Sequence, residues 1–136
     1  HRITGALARL LSASRLQTVL VIHANHPREV TPELGEALQK LAAGRVILLN
    51  QSVLLKSIND DADTLAVLSD TLLRIGVMPY YLHLLDPVAG AARFEVRLAD
   101  AQKLLEELRL RLPGYLVPRM VREVPGEPFK TPVSRL

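Results

Sequence analysis

A chain of 136 residues, 49% hydrophobic and 23% charged, can bury a substantial apolar core, which excludes an intrinsically disordered segment and fits one small domain or part of a larger one. The net charge of +3 is scattered over 17 basic and 14 acidic side chains with no basic block or aromatic-basic stripe, which argues against a nucleic-acid surface, and no apolar run approaches a membrane span or a signal peptide. The lack of cysteine excludes disulfides and any thiolate-held zinc or iron–sulfur site made from these residues alone, and is compatible with a cytoplasmic location.

Helix-like and strand-like segments alternate along the chain. Ile3 to Ser14 repeats apolar residues at helical spacing (Ile3, Leu7, Leu10, Leu11). Leu16 to His23 reads as a strand around the run Val19-Leu20-Val21-Ile22. Thr31-Pro32-Glu33 opens a second helix, because Thr can cap it, Pro suits its first turn and Glu complements its dipole. That helix stops at Gly44. Arg45 to Asn50 reads as a strand, and a polar loop with Asn59-Asp60-Asp61 leads into a helix over 62–75, with Gly76 as its C-terminal stop. A strand over 77–84 follows, then a loop from Leu85 to about Leu98 in which Asp86-Pro87 suggests an Asx-type turn. A helix over 99–112 ends at Pro113-Gly114, a short strand covers 118–124, and Pro125-Gly126-Glu127-Pro128 leads into a loop carrying Lys130.

Alternating strands and helices imply an α/β fold of right-handed parallel βαβ units. The continuous apolar strands predict burial on both faces, as parallel sheets require. There are too few units to close an eight-stranded barrel, so residues 1–136 are expected to form an open half-barrel completed by N-terminal units. The start at His1 rather than Met, with Arg2-Ile3-Thr4 running straight into a periodic segment, raises the same expectation of a chain cut from a longer one. An incomplete sheet of this kind has an exposed edge and an uncovered apolar face.

Ligands of parallel α/β folds gather at the C-terminal ends of strands, and these ends are rich in polar groups. The first gives His23-Ala24-Asn25-His26-Pro27, the second Asn50-Gln51-Ser52, the third His83 and Asp86, and the last Glu123, followed by Lys130. Each signal alone is weak. His23 and His26 lack an obvious third metal ligand, so no metal site is assigned. Asn50-Gln51-Ser52 are common turn residues, and a lysine on a Pro-flanked loop is ordinarily a solvated one. The set gains weight because all its members fall on one rim of the sheet.

Those strand-end motifs, with Val53-Leu54-Leu55-Lys56, Asn59-Asp60, Pro79-Tyr80-Tyr81, Gly114-Tyr115-Leu116-Val117-Pro118 and Lys130-Thr131-Pro132, resemble the lysine 2,3-aminomutase family in order and spacing over nearly the whole chain. Gly90-Ala91-Ala92-Arg93-Phe94 and Gly126-Glu127-Pro128-Phe129-Lys130 are most similar to the branch that makes (R)-β-lysine for elongation factor P. The resemblance implies a radical S-adenosylmethionine isomerase with a partial (β/α) barrel, a [4Fe–4S] cluster and pyridoxal 5'-phosphate, acting on L-lysine, with this chain as its C-terminal half. It further implies that Lys130, on the loop 123–133, forms an imine with pyridoxal phosphate. Asp86 matches a carboxylate that binds the distal ammonium of lysine, and Glu123 stands where lysine-specific members have Asp. His23, Asn50, Gln51 and Ser52 match the approach to S-adenosylmethionine. His83 stands near cofactor and substrate, at a position often Tyr.

The family's CxxxCxxC cluster motif cannot lie in a chain without cysteine and is expected upstream, with the arginine for the substrate carboxylate and most phosphate contacts. This stretch alone is therefore expected to be inactive, and homo-oligomer formation is left open. Two other readings compete: a half-barrel that only docks onto a partner, and an aminomutase for another basic amino acid. A pyridoxal phosphate enzyme without radical chemistry is a third.

Overall fold

The computed structural model describes residues 3–86 and 90–133. The chain start at His1-Arg2, the turn expected at Asp86-Pro87 beyond Asp86 itself, and the end at Leu136 lie outside the described residues. The elements, in chain order, are α1 (Gly5–Ser12), β1 (Val19–His23), α2 (Pro32–Ala43), β2 (Ile47–Leu54), α3 (Ala62–Arg74), β3 (Met78–Leu84), α4 (Leu98–Arg111), β4 (Arg119–Arg122) and β5 (Thr131–Pro132). One-turn 3-10 helices at Pro27–Glu29, Ala92–Phe94 and Gly114–Leu116 punctuate the connections.

Local chemistry sets these boundaries. The hydroxyl of Thr4, the hydroxyl of Thr31 and the carboxylate of Asp61 accept the backbone N–H groups of Leu7, Leu34 and Thr64, capping α1, α2 and α3; each cap is worth about 1 kcal/mol. Gly76 takes φ +79 after α3, as the expected stop requires. At the end of α2 the left-handed residue is instead Arg45, at φ +65. Gly44 is needed there for room: a Cβ on it would lie 2.8 Å from Ser12 Cβ, so it lets α1 close on α2.

The sheet runs in sequence order from β1 to β5, with β1 to β4 parallel. On one face, α2, α3 and α4 bring Leu38, Leu41, Leu65, Leu68, Leu72, Leu105 and Leu108 against Leu48, Leu54, Leu82 and Met120. Burying each such leucine contributes about 1.5–3 kcal/mol. The opposite face is open. Val19, Val21 and Ile47 remain 49%, 43% and 46% exposed, so the expected two-sided burial holds for one side only within this chain. Within the described residues, the sheet is therefore covered by helices on one side and open on the other.

The structure departs from the sequence expectations in two places that matter. β2 continues past Asn50 to Leu54, so Asn50-Gln51-Ser52 lie inside a strand and not on a turn. The segment after β4 is not a free loop: β5 pairs antiparallel with β4, Arg122 opposite Thr131 and Val121 opposite Pro132. This hairpin folds Lys130 back beside Glu123. The β2–β3 register slips between Asn50 and Gln51, leaving Tyr80 as an extra residue in β3. Pro79, which has no N–H to give to a ladder, sits at the slip. Beyond the bulge, Tyr81 and His83 are paired with Gln51 and Val53.

Candidate active site

One cavity of about 280 Å³ lies across the C-terminal ends of β1 to β4, lined by His23, Gln51, His83, Asp86, Glu123 and Lys130, with Val53, Leu84 and Leu85 as its apolar wall. Strand pairing explains the gathering. His23 is opposite Gln51, Val53 is opposite His83, and His83 is opposite Val121, so the side chains share the open face, and Glu123 follows two residues beyond Val121. Six of the eight residues singled out in the sequence therefore meet in one place.

Asn50 and Ser52 do not line this cavity. Period-two alternation turns both to the helical side, where they are 1% and 5% exposed. The Asn50 amide accepts the Ala24 N–H at 2.9 Å and donates to the Ala24 carbonyl at 3.1 Å and to Ser52 Oγ at 3.0 Å. Ser52 Oγ donates to the same carbonyl at 2.7 Å. Their polar atoms are thus engaged by the end of β1.

Sequence reasoning gave no role to Asn25 and Asn59, which complete this stitching. Asn25 Oδ1 accepts Val53 N–H at 2.7 Å. Asn59 is wholly buried; its Nδ2 donates to the carbonyls of Asn25 and Val53 at 2.8 and 2.9 Å, and its Oδ1 accepts Leu55 N–H at 2.7 Å. An asparagine on each of three motifs was the available signal. His26 is likewise structural: its Nδ1 accepts Arg28 N–H at 3.2 Å and caps the 3-10 turn. Among the described residues there is no group of three or more His, Asp or Glu placed to hold a metal.

The other side of the cavity is electrostatically unfinished. Lys130 Nζ donates to Glu123 Oε1. That hydrogen bond, and then the lysine's charge, hold the Glu123 carboxyl below its ordinary range. Among the described residues, the buried His83 Nε2 meets no hydrogen-bond partner. Burial first, and then the charge on Lys130, lower the imidazole's pKa, against the opposing pull of Glu123 and Asp86. A neutral ring follows at neutral pH. Tyr81 packs edge-on to it at 5.7 Å between centroids, and Tyr80 lies 3.9 Å from Tyr81 with their hydroxyls hydrogen-bonded at 3.0 Å. An unpartnered buried nitrogen, two carboxylates and an amine on one cavity make a site suited to a polar ligand bearing positive charge and a carbonyl-type electrophile.

Comparison with known proteins bears on the relatives and the fold of the chain. No protein-family model matches the chain. An L-lysine 2,3-aminomutase from Haemophilus influenzae is 52% identical over 131 residues, covering 96% of this chain and 39% of that protein. A glutamate 2,3-aminomutase from Clostridioides difficile is 39% identical over 82% of this chain and 26% of its own length. In shape, the chain is similar to a radical SAM methyltransferase from Sphaerobacter thermophilus, with a TM-score of 0.63 at 17% identity, over 86% of this chain and 37% of the other; this likeness concerns the fold. The chain spans about 39% of the length of the lysine enzyme it matches. Over the stretch it spans, it is homologous to the L-lysine 2,3-aminomutases.

Proposed function

We propose that this chain is the C-terminal part of an isomerase, a radical S-adenosylmethionine and pyridoxal phosphate-dependent lysine 2,3-aminomutase that converts L-lysine to β-lysine. The observation that carries the reading is the single cavity that brings Lys130 together with Asp86 and Glu123. Lys130 supplies a primary amine able to hold an aldehyde cofactor. The two carboxylates favour a substrate with a distal ammonium and disfavour glutamate, whose side chain would add a third negative charge.

The residues suit the aldehyde end of pyridoxal phosphate, with Lys130 as its anchor and neutral His83 offering an unused ring nitrogen. They do not suit its phosphate: among the described lining residues only Lys130 is a permanent cation, so phosphate contacts belong to the remaining length of the protein. Pyridoxal phosphate, when bound, supplies the conjugated ring that lets nitrogen pass to the neighbouring carbon. S-adenosylmethionine with a [4Fe–4S] cluster would supply the radical chemistry, and the thiolates to hold that cluster would have to come from outside this cysteine-free chain. His23 and Gln51 form the polar rim facing S-adenosylmethionine, and Asn50 and Ser52 hold that rim in place. The preceding barrel units cover the open face around Val19, Val21 and Ile47. A chain without a helix long and apolar enough to cross a membrane among its described residues suits work in the cytoplasm. The segments Gly90–Phe94 and Gly126–Lys130 favour elongation factor P as the destination of the β-lysine.

A docking module without chemistry would also explain the uncovered face, but it leaves the unpartnered His83 nitrogen and the intact lysine–carboxylate set without a purpose. The test is Lys130→Ala in the intact protein: the absorbance of the covalent lysine–cofactor adduct is expected to vanish. Undiminished absorbance would refute the role given to Lys130.

A further inference from the structure

A second cavity, of about 290 Å³, adjoins the first across its carboxylates. Asp86 and Glu123, with Leu84 and Leu85, line both. Val96, Leu98, Val124 and Pro125 add apolar walls to the second, and Glu95 and Arg122 border it with opposite charges. We propose that the site also binds L-lysine methylated on its distal nitrogen, with the methyl group entering this second cavity.

The inference rests on the reading of Asp86 and Glu123 as the groups that hold a distal ammonium, and it extends that reading to a further substrate class. Two carboxylates take one N–H each from an ammonium that has three. The remaining position on nitrogen can therefore carry carbon without costing either hydrogen bond or the charge. Because the two carboxylates are wall to both cavities, a nitrogen bound by both stands at the boundary, with the second cavity beyond it. A methyl group needs about the room of a water molecule, roughly 30 Å³, a small part of that space. Its burial favours binding by about fourfold, the factor for one buried carbon. An acyl group on the same nitrogen removes the charge and leaves Asp86 and Glu123 without their cation.

The second cavity is built from the end of β3, the segment before α4 and the end of β4. Leu84 and Arg122 follow Leu82 and Met120 by two positions, which puts them on the helix-covered side of the sheet. Val96 packs against the core on that side. Val19, Val21 and Ile47 lie on the opposite, open side, so units that cover them approach from the far side of the sheet.

The test is a titration of the intact, pyridoxal phosphate-loaded protein without S-adenosylmethionine, read as the change in cofactor absorbance on amino-acid binding. L-lysine gives the reference dissociation constant. Nε-methyl-L-lysine is expected to bind at least as tightly, and up to about fourfold tighter. Nε-acetyl-L-lysine, which is neutral at that nitrogen, is expected to bind about tenfold more weakly or worse. Val96→Phe narrows the second cavity and is expected to shift the ratio of the lysine and methyl-lysine constants by about fivefold or more against the methylated form. Leu98→Phe, at a position 37% exposed, should shift the ratio the same way and serves if the first variant does not fold. Methyl-lysine binding weaker than that of lysine by about threefold or more would overturn the inference and leave the proposed function standing. Equal binding of the acetylated form, or a ratio that neither variant moves, would do the same. L-lysine that leaves the absorbance unchanged would overturn both.

Discussion

The two halves of the strand-end rim are built on opposite principles. At the ends of β1 and β2, polar side chains are buried and satisfied: Asn50 and Asn59 are 1% and 0% exposed and spend their amides on the backbone of Ala24, Asn25, Val53 and Leu55. At the ends of β3, β4 and β5, the polar groups are left open to ligand. Among the described residues, His83 Nε2 has no hydrogen-bond partner, and the side chains of Glu123 and Lys130 are paired with each other. Buried amide networks that meet all their bonds fix a geometry, whereas a buried nitrogen without a partner is tolerated where a ligand completes it. The first half is a frame that fixes the strand ends carrying His23 and Gln51, and the second is where the proposed ligand would find polar groups to engage.

This contrast is broken most directly through the frame. Asn59→Ala leaves Leu55 N–H and the carbonyls of Asn25 and Val53 without their side-chain partner. It is expected to cost on the order of 3 kcal/mol, read as a lowered denaturation midpoint in the intact protein. A loss below about 0.5 kcal/mol would show that the stitching is incidental. Lys130→Ala is expected to do the reverse: stability changes by no more than about 1 kcal/mol, since it removes only an exposed ion pair, while the cofactor adduct is lost.

A smaller effect is expected at Asp86. Asp86→Asn keeps the shape of the cavity and removes one of its two carboxylates, so the Michaelis constant for L-lysine should rise by roughly tenfold, corresponding to one charge-assisted hydrogen bond, with kcat less affected. An unchanged constant would remove Asp86 from substrate recognition. The least effect is the pH dependence of stability. His83 is held below its ordinary value of 6.5, so as pH falls below 6.5 the unfolded chain takes up its proton more readily than the folded one, and stability declines. Glu123 is held below 4.5; its contribution is present above that value and is lost as pH falls further. His83→Phe should remove the first decline and leave the second, and Glu123→Gln should do the opposite. Identical acid profiles for both variants would contradict the assignment.

Much of this was legible in the residues. The cap at Thr31, the polar loop before α3, the glycine after it and the apolar runs of β1 and β2 pointed to the βα order, because each is a local signal; that Asp61 caps α3 emerged only from the structure. The strand-end set was legible because parallel strands place their last residues on one rim. Two features were not. Asn50 and Ser52 carry the same residue types as a turn, and only the extension of β2 to Leu54 shows that they face the helices. The β4–β5 hairpin escaped because β5 is two residues long and contains Pro132, too little for a period-two pattern. Its existence depends on pairing with β4, a tertiary contact. The Glu123–Lys130 pair was invisible for the same reason.

The most direct test of the account is to load the intact protein with pyridoxal phosphate, reduce it with borohydride to fix any lysine adduct, and map the labelled peptide. The account predicts the label on Lys130, within the segment that follows Gly126-Glu127-Pro128-Phe129. A label on Lys40, Lys56 or Lys103 instead, or none in this stretch of the protein, would contradict it.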